Sequence, residues 1–118
     1  LLSIADLTSE RHTEAGTLSH GEKQWLEIVM AVGADPDLLL LDEPTSGISV
    51  GETNDTVDLI DEIRTREEIA VLVIEHDMDV VHEISDHVYV FATATNLTDG
   101  EPNAALNDPR VLEAYFGE

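Results

Sequence analysis

Asp42 and Glu43 follow directly on Leu38-Leu39-Leu40-Leu41. A four-residue apolar run between Pro36 and Pro44 suits a strand buried on both faces of a parallel sheet. Such a strand delivers the two carboxylates together at its C-terminal edge, where ligands bind in open α/β sheets. Side-by-side carboxylates are costly to desolvate, and each raises the cost of ionising the other. A chemical use that fits the pair is phosphoryl transfer to water, with Asp42 holding Mg²⁺ through water and Glu43 orienting or deprotonating the attacking water. Taken alone, the same six residues describe equally well a strand that ends in a solvated polar turn.

Two further segments carry chemistry of a compatible kind. Leu18-Ser19-His20-Gly21-Glu22 precedes a helical pattern. Backbone N–H groups and the helix dipole there favour an anion, Gly21 lets a backbone approach closely, and the Ser19 hydroxyl can donate to a phosphate oxygen. The plainer reading is a helix cap by Ser19, and on this segment alone it is the stronger one. His76 lies in Glu75-His76-Asp77, just after the apolar run Val71-Leu72-Val73-Ile74. A histidine at a strand end can bond a phosphate oxygen or hold a water. An isolated surface histidine between two acids is the default alternative.

These residues need elements to position them. Residues 22–32 form an expected helix, with Trp25, Ile28, Val29 and Val32 at helical spacing and Gly33 and Pro36 ending it. Residues 52–67 form a second, with Val57, Ile60 and Ile63 on one stripe. Residues 70–74 are β-branched and apolar, hence a second buried strand. A short helix is expected over 78–84, strands over 88–91 and 93–97, a turn at Asp99-Gly100, and a closing helix over 108–116 with Asp108 as cap and Pro109 in its first turn. Residues 1–7 read as the end of a helix and 8–17 as a polar loop. Strand, helix, strand, helix in succession implies an α/β fold with a parallel sheet flanked by helices, the late strand pair being antiparallel.

Composition narrows the function. Of 118 residues, 26 are acidic and 5 basic, for a net charge of -21, while 42% are hydrophobic. That apolar content, with its periodicity, argues for a folded chain with a solvated acidic surface, as in proteins of halophiles, where salt screens self-repulsion. The charge disfavours nucleic acid, whose phosphates need Lys and Arg. The absence of cysteine excludes disulfides and thiol metal sites. No apolar stretch reaches the ~20 residues of a membrane span, so direct membrane insertion is not expected, and neither is a signal peptide. The expected location is cytoplasmic.

Taken in order, Leu18-Ser19-His20-Gly21-Glu22, then Leu41-Asp42-Glu43-Pro44-Thr45-Ser46-Gly47, then Ile74-Glu75-His76-Asp77 resemble the signature motif, the Walker B segment with D-loop, and the switch-histidine loop of ABC transporter ATPases. The signature segment through Ile28, and the ending Asn107-Asp108-Pro109-Arg110-Val111-Leu112-Glu113-Ala114-Tyr115-Phe116-Gly117, look like the urea and branched-chain amino acid importer branch. The resemblance implies the C-terminal part of a P-loop NTPase domain, with residues 1–17 ending a helical subdomain and 18–118 belonging to the ATPase core. It implies ATP and Mg²⁺ as cofactors, a second ABC ATPase subunit and membrane permease subunits as partners, and a peripheral place on the inner face of the membrane. Head-to-tail dimerisation would set Ser19, His20, Gly21 and Glu22 against ATP held mainly by the partner. Asp42, Glu43 and His76 would face the chain's own ATP.

The departures are specific. His20 and Glu22 replace the commonest signature glycine and glutamine, and Ser49 stands where the D-loop usually has Asp. No Gly-x-x-x-x-Gly-Lys-Ser/Thr is present: Gly16 and Gly21 have its spacing, but Glu22 follows rather than Lys. A truncated non-catalytic remnant, a half-cassette acting as a binding module and, less favoured for want of heptads, a DNA-repair type of ABC ATPase are the competing readings.

Overall fold

The computed structural model describes residue 5 and residues 7–117. Ala5 lies in a turn and Leu7 precedes a short 3₁₀ turn; the remainder of the helix end expected over 1–7 lies outside the described residues. The chain divides into two compact units, the first ending at Glu75 and the second beginning at His76.

In the first unit, helix α1 spans His20–Gly33 and strand β1 Leu38–Asp42. Helix α2 spans Val50–Glu67 and strand β2 Ala70–Ile74. α1 packs on both α2 and β1. Its buried residues Ile28, Val29 and Val32 recur at the expected helical spacing, and α2 buries Thr56, Val57, Leu59, Ile60 and Ile63. Ile63 is fully buried. β1 and β2 pair in parallel, from Leu38 opposite Ala70 to Asp42 opposite Ile74. Joining two parallel strands takes a crossover, and α2 supplies it.

Both helices start two residues earlier than the apolar spacing indicated, because a serine cap in front of each extends the first turn. The expectations that β1 is buried on both faces and that β2 is a buried strand are not met in this chain: no residue of β2 is buried, because nothing among the described residues covers the outer face of the strand pair. Leu39 and Leu41 are buried, whereas Leu38, Leu40, Leu72 and Ile74 are all more than half exposed. The polar segment 8–17 is not wholly irregular, since Thr8–Glu10 and Ala15–Thr17 are 3₁₀ turns.

In the second unit, helix α3 spans Met78–Ile84, strands β3 and β4 span Val88–Ala92 and Thr95–Gly100, and helices α4 and α5 span Pro102–Leu106 and Pro109–Phe116. β3 and β4 are antiparallel, as expected, with an irregularity between Val90 and Phe91. The turn sits at Thr93-Ala94, not within a strand, and Asp99-Gly100 ends β4 instead of turning the chain. Thr93 and Ala94 take φ of 51° and 60°. Two left-handed central residues match the twist of a two-residue hairpin, and here neither is the Asn or Gly that would announce it. Val88, Val90, Ala105 and Val111 form the core, with Val81 and Leu106 packed against it. The Tyr115 hydroxyl donates to the Phe91 carbonyl at 2.7 Å, tying α5 to β3.

Candidate functional site

Asp42 is the last residue of β1, and both Asp42 and Glu43 are exposed. The Glu43 N–H donates to the Ile74 carbonyl at 2.8 Å, which extends the parallel ladder by one bond past the strand. At the same residue the backbone turns left-handed, with φ of 49°. For a non-glycine residue this conformation is strained by about 1–3 kcal/mol, and such residues gather at active sites. The next turn is locked from within. Pro44 and Thr45 are buried. The Thr45 N–H donates to Glu75 Oε1 at 3.1 Å, and its hydroxyl lies 3.0 Å from each Glu75 oxygen. The backbone that carries the two carboxylates is therefore held by a ladder bond at Glu43 and a clamp at Thr45.

The segment at Ser19 begins α1. Ser19 Oγ accepts from the Glu22 N–H at 3.1 Å, and Glu22 Oε1 accepts from the Ser19 N–H at 3.0 Å. This reciprocal pair is a capping box. The cap reading of Ser19 is thus fulfilled, and it leaves the exposed hydroxyl with a lone pair committed to the helix. Gly21 is buried, and a Cβ there would overlap the Glu52 carboxylate of α2. The His20 ring lies over Gly47, with Nε2 3.6 Å from where a Cβ would sit. Gly47 has φ of +74°, so a side chain there would be strained as well. The structure thus brings His20 and Gly21 against the turn and helix that follow Asp42-Glu43.

One level deeper, the Trp25 Nε1–H donates to Thr56 Oγ1 at 2.7 Å, and that hydroxyl donates to the Glu52 carbonyl at 2.8 Å. Thr56 is fully buried. The α1–α2 seam thus carries a carboxylate packed on a glycine and, a helical turn further along, a hydrogen bond.

His76 opens the second unit and is exposed, followed by Asp77, whose carboxylate caps α3 through the N–H groups of Asp79 and Val80. Elsewhere in this unit, His87 Nε2 lies 3.2 Å from Asp99 Oδ1, with its ring tilted against Tyr89. Asp108 caps α5 and is paired with Arg110 at 2.8 Å. The Arg110 side-chain hydrogen bond, then its backbone N–H, holds the Asp108 carboxyl down to about 2.

Among the described residues no group of three or more His, Asp or Glu is placed to hold a metal ion. A single exposed carboxylate at a strand end still fits Mg²⁺, which takes one or two protein carboxylates and completes its shell with phosphate oxygens and water. Asp42 is that carboxylate. Bound there, the ion would neutralise phosphate charge; the chain's own part is to fix Asp42 and Glu43 in place. Sequence reasoning named Trp25 only as part of a helical stripe and Glu75 only as a neighbour of His76, and did not single out Glu52 or Thr56. Of these, only Glu52 carried a signal, as the fourth residue of a Ser-x-x-Glu cap pattern.

The model of the ABC transporter family matches residues 1–46. Over 117 residues the chain is 40% identical to the high-affinity branched-chain amino acid transport ATP-binding protein BraF of Pseudomonas aeruginosa, covering 99% of this chain and 46% of that protein. It is 38% identical over 112 residues to LivG of Escherichia coli, a protein described in the same terms, covering 95% and 44%. Among solved structures, the ADP conformation of MJ1267, an ATP-binding cassette of an ABC transporter, superposes with a TM-score of 0.87 at 32% identity, covering 99% of this chain and 47% of that one. A nucleotide-free cassette superposes with a TM-score of 0.82 at 28% identity. The chain spans about half the length of the relatives it matches. Among the described residues no helix is long and apolar enough to cross a membrane. In sequence over nearly its whole length, and in fold, the chain corresponds to about half of an ABC transporter ATP-binding cassette.

Proposed function

We propose that this chain is part of the ATP-hydrolysing subunit that powers a solute importer of the branched-chain amino acid or urea type. The observation that carries the reading is the exit from β1, where a ladder bond, a strained left-handed Glu43 and the Thr45–Glu75 clamp present two carboxylates together. Asp42 would hold Mg²⁺, Glu43 would orient or deprotonate the attacking water, and His76 would hold that water or a phosphate oxygen. Ser19, His20, Gly21 and Glu22 would meet nucleotide held by a second subunit. The subunit would sit at the inner face of the membrane by docking on permease subunits. Residues 1–17 would end the helical subdomain, with 18–118 in the ATPase core. The relatives named for branched-chain amino acid transport support the solute class.

The test is transport. The complete protein, reconstituted with its permease in vesicles, is expected to accumulate a radiolabelled branched-chain amino acid or urea only when Mg-ATP is supplied. Accumulation of neither solute, alongside ATP turnover, would reject the solute class while leaving the ATPase reading standing.

A second reading, a half-cassette that binds a separate chain, is favoured by one feature. Leu38, Leu40, Leu72 and Ile74 present an exposed apolar sheet face that a buried strand pair would not leave open. Co-purification of this 118-residue chain with a phosphate-loop half expressed separately would support it; separate elution of the two would reject it.

A further inference from the structure

Helix α2 starts with a serine whose hydroxyl does two jobs. Ser49 Oγ accepts from the Glu52 N–H at 3.1 Å and donates to Glu52 Oε1 at 3.2 Å. That second bond fixes one carboxylate oxygen, and the other rests against the Cα of Gly21, in the first turn of α1. The location suits a carboxylate, since the first turn of a helix carries partial positive charge. Thr56, one turn further along α2, holds the Trp25 side chain, one turn further along α1. Glu52 is thus bound at its backbone through Thr56 and at its carboxylate through Ser49.

We propose that Glu52 is a positioning residue for the turn at 19–21, and that Ser49, by donating a hydrogen bond where a carboxylate could not, is what holds it in place. This rests on reading that turn as a nucleotide-facing segment. An aspartate at position 49 would cap α2 as well as serine does, because both are strong N-caps. Yet it has no proton to give Glu52, and two carboxylates in contact repel. The same substitution would supply the Asp that the family resemblance leads one to expect there. On resemblance alone Ser49→Asp should preserve or improve turnover, whereas the contact geometry requires it to push Glu52 off Gly21.

The experiment uses the complete protein with Ser49→Asp, Glu52→Gln and the double variant. ATP turnover and the Gly21 amide resonance are both read. Ser49→Asp is expected to lower kcat roughly ten- to a hundredfold, the scale of a misplacement of about 1 Å, with little change in nucleotide affinity at the chain's own site. Its Gly21 resonance should shift. Adding Glu52→Gln should restore most of both, since the Gln amide can donate to the introduced carboxylate while filling the same space. Ser49→Asp with unchanged turnover and an unmoved Gly21 resonance would overturn the proposal, as would a double variant no better than the single. If the unsubstituted protein hydrolyses no ATP, the ATPase reading fails, and the Gly21 resonance across the series still decides whether Ser49 governs the Glu52 contact.

Discussion

α1 and α2 begin with the same pattern, Ser19-x-x-Glu22 and Ser49-x-x-Glu52, and use it differently. At α1 the glutamate folds back onto the Ser19 N–H and closes a reciprocal box. At α2 the glutamate takes the serine hydroxyl instead, and its other oxygen reaches across to the neighbouring helix. What decides is the neighbour. Gly21 leaves a space that the Glu52 carboxylate fills, so one cap serves its own helix and the other serves both. A cap motif therefore predicts a helix start reliably and says little about where its acidic member points.

The largest expected effect separates the helices by charge. α2 carries Glu52, Asp55, Asp58, Asp61, Glu62 and Glu67 against Arg64 and Arg66, and both arginines pair locally, with Asp61 at 2.7 Å and Glu62 at 3.1 Å. α1 has Glu22 and Glu27 with Lys23. Each exposed like-charge pair is worth a few tenths of a kcal/mol up to ~1. Screening shortens from about 8 Å at physiological ionic strength to about 3 Å near 1 M. Molar potassium chloride should therefore raise the melting temperature, and hydrogen exchange should show α2 gaining more protection than α1. A flat melting temperature would remove the halophilic reading, and equal gains in the two helices would remove the charge contrast.

Next comes the pair of serines. Ser19→Ala should cost about 1 kcal/mol, the usual loss for a cap, because the Glu22 bond to the residue-19 N–H survives it. Ser49→Ala removes both of its bonds to Glu52 and should cost more. Denaturant midpoints of the two variants test this, and equal losses would mean that Glu52 is not held as described.

The smallest effect lies at a third helix start. Asp108 caps α5 with its carboxyl held at about 2, below its ordinary 3.8. A lowered carboxyl favours the folded state above about 3.8 and loses that contribution as pH falls toward 2. The stability gap between the unsubstituted chain and Asp108→Asn should be constant from about pH 7 to 5 and close between about pH 4 and 2. A gap that persists at the acid end would show that the charge pair with Arg110 does not carry the effect, since Asn keeps the cap.

Much of this was legible in the sequence. Residues 70–74 and 78–84 form the strand and helix that β-branching and spacing indicate, and Asp108-Pro109 starts α5 as its cap chemistry requires. The Thr93-Ala94 turn was not legible, because neither residue favours the positive φ that the tight hairpin imposes on it. α4 escaped notice because five residues hold too little periodicity to read. Asp42 and Glu43 were visible as types at a strand end, but the Thr45–Glu75 clamp spans 30 positions and no local pattern announces it. The exposed Leu38 and Leu40 likewise depend on what else covers the sheet, which a run of leucines cannot say.

The role proposed for Glu43 at the exit from β1, activating the attacking water, is tested most directly by Glu43→Gln. The amide keeps the side chain's shape and loses the charge that orients or deprotonates water. In the complete cassette, ATP turnover should fall by about a hundredfold or more, with Mg-ATP affinity within a factor of about two, since binding is left to other groups. Turnover equal to that of the unsubstituted protein would contradict the account.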